Sequence, residues 1–350
     1  MSEADVRQAF EKQAVACDTL GSPFTARLCR LVAKHLDRQT IVGQTILDWP
    51  GDASHAADSV PLRLAGALHA LVVSGVDSSL QHVYPPHKSS DEELWPAVAD
   101  ALRQRTDFIL ERLKSAPQTN EVRRSAALLP GFMTIAALTG KPLMLSEVGA
   151  SAGLNLQWDF YQYQLGDVAW GDTSPVFLKP EWRGKQPLSV PIDILQRAGC
   201  DLNPLDPSSA EDRQRLISYL WADQAERIER TANALEIAHQ HHLTVTRADA
   251  VDWLKTRLSE VHNGACHVIY HSIAWQYLPA ALQQQGLELI EHAGHNASEN
   301  APLAHLQMEA DDTPGSASLT LQLWPTGEKH QIGRADFHGR WVDWFGWPGL

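Results

Sequence analysis

One stretch, PLMLSEVGASAGLNLQWDF from Pro142 to Phe160, restricts this chain more than any other. Leu143, Met144 and Leu145 form an apolar run that closes on Glu147. The small residues Gly149, Ala150, Ser151, Ala152 and Gly153 follow, and Leu154 and Leu156 resume an apolar pattern. The pattern predicts a buried strand, a tight turn and the start of a helix. Small residues let the N–H groups of a helix N-terminus approach a ligand closely, and an acid at a strand end can accept from ligand N–H or O–H groups. Nucleotide sites are built this way. The same letters also satisfy G-x-S-x-G, which would make Ser151 the nucleophile of a hydrolase elbow.

The sequence upstream decides against the second reading. Phe24, Leu28, Leu31, Val32, His35 and Leu36 recur on one helical face, as do Leu94, Val98, Leu102, Phe108 and Leu113. Between them PLRLAGALHALVV, Pro61 to Val73, is apolar almost all round and predicts a core helix. Residues 1–116 therefore read as an N-terminal helical domain. A hydrolase elbow needs strands before its own, and a triad would need an acid such as Asp249 and then His271 or His338 after Ser151. From Pro117 one or two helices, interrupted or restarted at Pro130-Gly131, lead into the Leu143 strand.

Downstream, strands and helices alternate, which implies a parallel sheet with crossover helices. Residues 158–190 carry hairpin signals, with Tyr161, Tyr163 and Leu165 alternating before Gly166-Asp167. A strand ending at Asp201 follows. A long helix then opens on Ser208 and Glu211 as a capping box and runs through Ile217, Leu220, Trp221, Ile228, Leu235 and Ala238. LTVTRADA supplies a strand with Asp249 at its end, HVIYHS one ending near His271, and the last strands close in an antiparallel hairpin. Glu147, Asp201 and Asp249 thus end successive strands, and in a doubly wound sheet such ends line one crevice.

The net charge of −13 excludes a nucleic-acid backbone as the expected partner and favours small or cationic ligands. Cys17, Cys29, Cys200 and Cys266 form no C-x-x-C pair. No apolar run reaches membrane-spanning length and no signal peptide opens the chain, so a cytoplasmic, reduced protein is expected. The run His239 to His242 closes a helix, where imidazoles suit the dipole, and no metal site is expected.

With these residues assembled, the segment 117–350 resembles the Rossmann-like S-adenosylmethionine-dependent methyltransferases. LSEVGASAG is similar to their first motif, AGCDLNP to the acid on the ribose hydroxyls and TRADA to the acid near the adenine. The resemblance implies that Glu147, Gly149, Ser151, Gly153, Asp201 and Asp249 bind the cofactor, S-adenosylmethionine, and that the segment after the fourth strand faces a small-molecule acceptor. His271 would be the base, with Tyr277 and Gln276 orienting the acceptor beside Trp275. Arg123 and Arg124 would either anchor an anionic group of the substrate or form a solvated face. Ser151 stands where that turn usually has a glycine, and the gap from Gly153 to Asp201 exceeds one helix, which implies an insertion. Through WPGD, PLRLAGALHAL, PQTNEVRRSAALLPGF, GASAGLNL, WADQ and HS-x-x-WQYLP, the whole chain also resembles a bacterial family known as a domain of unknown function. The alternatives to methyl transfer are a non-catalytic nucleotide or S-adenosylmethionine-binding module, and a serine hydrolase.

Overall fold

Between Glu3 and Leu113 the computed structural model, which describes residues 2–350, places α1 (Glu3–Thr19), α2 (Pro23–His35), α3 (Ile41–Leu47), α4 (Val60–Val73), α5 (Ser78–Val83), α6 (Asp91–Gln104) and α7 (Thr106–Leu113). Local chemistry starts them: Ser2 and Asp5 close a capping box on α1, and Thr40 and Asp77 accept from backbone N–H groups at the starts of α3 and α5. The almost uniformly apolar α4 buries Val60, Leu64, Leu68 and Leu71, each contributing about 1.5–3 kcal/mol by leaving water. On α2 the predicted face is buried except for His35, which is exposed and tilts against Trp95.

The chain then continues through α8 (Arg124–Thr139), β1 (Leu143–Val148), β2 (Gln162–Leu165), β3 (Val168–Trp170), β4 (Phe177–Leu178), β5 (Glu181–Gly184) and β6 (Ile194–Asp201). Next come α9 (Ala210–Ser218), α10 (Ala225–Gln240), β7 (Thr246–Arg247), α11 (Ala250–Arg257), β8 (Cys266–Ser272) and α12 (Ala280–His295). It ends with β9 (Leu303–Ala310), β10 (Ala317–Trp324), β11 (Glu328–Ala335) and β12 (Trp341–Trp344). Pro130 neither breaks nor restarts α8, since a proline removes only one hydrogen bond of the ladder.

Two units divide the chain. One runs to Thr119 and takes in Ala210–Ala232; the other is Asn120–Ser209 with Asn233–Leu350. Residues 210–232, which the sequence assigns to the second segment, thus cluster with the first. The single long helix expected there is two, α9 and α10. Its break is held by side chains of the helical unit. His69 Nδ1 donates to the carbonyls of Ser218 and Leu220 at 3.2 and 2.9 Å, and Asp223 accepts from Phe24 N–H at 2.8 Å and from Ser22 Oγ. Ser208 donates to Asp206 at 2.7 Å, whereas the sequence has it capping that helix.

The second unit is a mixed α/β structure around a large, mostly parallel central sheet of order β5-β12-β11-β10-β9-β8-β1-β6-β7. From β7 to β9 all neighbours are parallel. Counted from β1, those strands stand in the order 3-2-1-4-5, so the winding reverses beside β1. From β9 onward the strands form an antiparallel meander, which contains the expected closing hairpin as β10 and β11. Residues 158–190 do carry hairpin structure: a small sheet of order β3-β2-β4, with the buried Trp158 stacked on Phe132 at 4.6 Å.

The helix expected to start at Leu154 is absent. Residues 149–157 are turns and bends, and only a short 3₁₀ turn, Trp158–Phe160, follows. Side chains take the backbone groups that a helix would pair. Leu154 N–H goes to Asn120 Oδ1 at 2.8 Å, Leu154 C=O accepts from Tyr161 O–H at 2.6 Å, and Asn155 C=O accepts from Tyr270 O–H at 3.1 Å.

Candidate functional site

β1 and its neighbour β8 run side by side, and the chain leaves both strands at their carboxyl ends, where the winding reverses. The two loops meet there so closely that a Cβ on Gly149, itself at φ +71°, would lie 2.6 Å from Ala274 Cβ. Each loop holds one non-glycine residue in the left-handed region, Ser151 at φ 55° and Ile273 at φ 48°. For a β-branched residue this is a true outlier, and such conformations cost about 1–3 kcal/mol each. Two carboxylates clamp them. Asp201 Oδ2 accepts from Ser151 N–H at 2.9 Å and its Oδ1 from Asn203 N–H at 2.8 Å. Glu309 Oε1 accepts from Ala274 N–H, Trp275 N–H and His271 Nδ1 at 3.0, 3.1 and 2.7 Å.

Between the clamps sits Glu147, 2% exposed, with Oε2 buried and without a hydrogen-bond partner. Burial, and then the charge of Asp201, pushes its carboxyl well above the usual range, while Tyr270 and Arg124 oppose the shift. All three acids of the sequence reading act on one neighbour. Burial drives the Cys200 thiol up to about 12, a hydrogen bond from Gly149 opposes that, and the charges of Asp201, Glu147 and Asp249 add to it. The surrounding residues form one polar network: Asn155 Oδ1 accepts from Ser125 Oγ at 2.7 Å, and Asn155 Nδ2 donates to Glu121 C=O at 3.2 Å.

The remaining residues singled out from the sequence take other positions. Asp249 caps α11, accepting from Val251 N–H at 2.9 Å and Asp252 N–H at 3.3 Å. Gly153, at φ +73°, is required by the protein itself, since a Cβ there would meet Leu243 at 2.5 Å. Arg124 donates to the carbonyls of Phe337 at 2.9 Å and Ser272 at 3.0 Å, and Arg123 precedes it at the N-cap of α8, half-buried. Trp275 is buried and stacks on His271 at 4.7 Å; Gln276 and Tyr277 point outward, Tyr277 being 75% exposed.

His271 is fully buried, and both of its ring nitrogens are engaged. Gln307 Nε2 donates to His305 Nδ1 at 3.1 Å, so His305 carries its proton on Nε2 and donates it to His271 Nε2 at 3.0 Å. Burial above all holds the His305 imidazole well below its ordinary value, which suits that neutral form. The basic lone pair of His271 is therefore occupied by protein. Ser151 Oγ is buried with no hydrogen-bond partner, so no histidine is paired with it, and among the described residues no strand precedes β1.

Sequence reasoning missed Asn155, Tyr270, Ile273, His305 and Glu309. Asn155, His305 and Glu309 left a trace, as polar letters in the otherwise apolar runs GLNL and LAHLQME. Ile273 left none, because nothing in an isoleucine announces a positive φ.

The fold and these residues define a mixed α/β protein with a buried acid, Glu147, at the carboxyl end of β1, where the strand order of its central sheet reverses. The chain belongs to the family described as "Uncharacterized protein conserved in bacteria (DUF2332)", which matches residues 7–344. No curated protein and no solved structure matches it.

Proposed function

We propose that the crevice at the carboxyl ends of β1, β6 and β8 binds S-adenosylmethionine and that the protein transfers its methyl group to a small acceptor. The observation that carries this reading is Glu147, a buried carboxyl at the switch point with one oxygen lacking any protein donor. A ligand bearing N–H or O–H groups would satisfy it.

The residues suit an adenosyl sulfonium better than a phosphate-bearing nucleotide. The turn after β1 opens no α-helix, so no helix N-terminus is offered to a pyrophosphate. Asp201 supplies negative charge where a cationic cofactor would lie, and Glu147 an unpaired carboxyl oxygen beside it. Asp201 already accepts two backbone N–H groups, yet a carboxylate has about four lone-pair sites, which leaves capacity for ribose hydroxyls. Glu147 and Asp201 would hold the cofactor, and the clamped loops at Ser151 and Ile273 would keep the cleft preformed. When bound, the cofactor supplies an electrophilic methyl group. A second reading, ligand binding without turnover, is favoured by one observation, the occupied nitrogens of His271.

Titration calorimetry of the full chain with S-adenosylmethionine and S-adenosylhomocysteine tests the proposal, with NAD as the phosphate-bearing control. Both adenosyl compounds should bind and NAD should not. Asp201→Ala should weaken S-adenosylhomocysteine roughly 10- to 150-fold, the loss of a charge-assisted interaction of about 1.5–3 kcal/mol. Failure of both adenosyl compounds to bind at about 1 mM defeats the reading.

A further inference from the structure

The opposite end of the same sheet holds a feature that the adenosyl reading does not use. At the amino ends of β8 and β9, beside α11 and α12, lies a cavity of about 450 Å³, a size typical of small-molecule sites. Register places it far from the crevice: Leu143 pairs with Cys266 and Glu147 with Tyr270, four residues or roughly 13 Å along the strand. Its walls are largely aliphatic, including Leu258, Leu289 and Ala297, and its polar side chains include Lys255, His262 and His267.

His267 is 6% exposed, and its tautomer follows from its neighbours. Arg257 donates Nε and Nη2 to Ser146 Oγ at 3.2 and 3.1 Å. A guanidinium only donates, so both hydroxyl lone pairs are used and the Ser146 proton goes to His267 Nε2, 2.9 Å away. The imidazole is thus the Nδ1–H form, and burial, then Arg257 and His262, lowers it to about 3 and keeps it neutral. The bond to Ser146 engages Nε2 and leaves the Nδ1 proton to donate elsewhere. The adjacent His262, whose ring lies edge-on at 5.9 Å, has Nε2 buried with no hydrogen-bond partner; Glu260 Oε2, at 3.9 Å, is out of hydrogen-bond reach. In this largely aliphatic cavity His262 Nε2 is thus a buried polar atom that the protein leaves unpaired, and His267 Nδ1 is a second donor on the same lining.

We propose that this cavity binds a small apolar monocarboxylate, with its carboxylate held by His262 and His267 and its hydrocarbon body against the α12 wall. Lys255 and Glu260 leave the lining without net charge, so a bound anion relies on the imidazole N–H groups for its hydrogen bonds, and a single carboxylate asks less of them than a dianion would. The proposal stands independently of the adenosyl reading, because it uses other residues at the other end of the strands.

Octanoate is the probe, titrated into the full chain by calorimetry, with octan-1-ol as the head-group control. Octanoate should bind with Kd below about 1 mM and octan-1-ol at least roughly tenfold more weakly. Ala297→Phe, which fills the cavity, and His262→Ala, at a half-buried position, should each weaken octanoate about tenfold or more while the thermal midpoint stays near that of the wild type. Two variants are used so that misfolding of one leaves the other decisive. No octanoate binding at about 5 mM, equal binding of the alcohol, or unchanged affinity in a folded variant of either kind would overturn the proposal.

Discussion

Glu147 is a residue whose protonation can be followed without any substrate. Its folded carboxyl is raised above the ordinary 4.5, so between pH 4.5 and the raised value the native state binds more protons than the unfolded chain. Stability then falls as pH rises through that window, by up to about 1.4 kcal/mol per pH unit, and levels off above it. Glu147→Gln keeps the shape and removes the ionisation. Its stability should fall less steeply than that of the wild type from pH 5 to pH 8, as read by urea unfolding at several pH values. Parallel profiles would show that Glu147 is not a buried carboxyl. The acid itself was legible in the sequence, as the end of an apolar run; its isolation was not, because burial by Tyr270 and the neighbouring loops depends on distant segments.

Among the elements, the loop after β8 depends most on one side chain. Glu309, on β9, holds Ala274 N–H, Trp275 N–H and His271 through a single oxygen, and these bonds fix the left-handed backbone at Ile273. Glu309→Ala would leave two amides and an imidazole unpaired and should cost about 3–5 kcal/mol, as the breaking of buried ionic networks does. Hydrogen exchange should show the amides of Ala274 and Trp275 losing protection before the core of β8. Retained protection there would mean that packing of Trp275, and not the carboxylate, orders the loop. Most strands and most helices could be read from periodicity, since burial of one face is a local pattern; β12 was not read, being only four residues long. The missing helix at Leu154 could not, because Asn120, Tyr161 and Tyr270 compete for its backbone and come from elsewhere in the chain.

At the scale of the whole molecule, the helical unit is not a continuous stretch. It takes Tyr219 against the bare backbone of Gly66, where a Cβ would stand 2.6 Å from the ring, and it buries Leu216 and Trp221. A fragment ending at Thr119 would lose these contacts and leave His69 and Phe24 N–H without their acceptors. Such a fragment should lack a cooperative thermal transition by circular dichroism, and fusing residues 210–232 through a Gly/Ser linker should restore one. A cooperative melt for the fragment alone would show that the first 119 residues are self-sufficient.

The sequence by itself determined the helical character of the first 113 residues, the buried strand ending at Glu147, the strand ending at Asp201 and the closing hairpin. Each is set by the spacing of apolar side chains along a few turns or one strand. Tertiary structure alone decided that Asp201 grips the turn it faces, that His271 is enclosed between Glu309 and His305, and that Asp249 serves as a helix cap. It also decided the cavity at the far end of the strands. A side chain's type fixes which bonds it is able to make, whereas which partner arrives is fixed by packing of segments remote in sequence, and no local pattern encodes that choice.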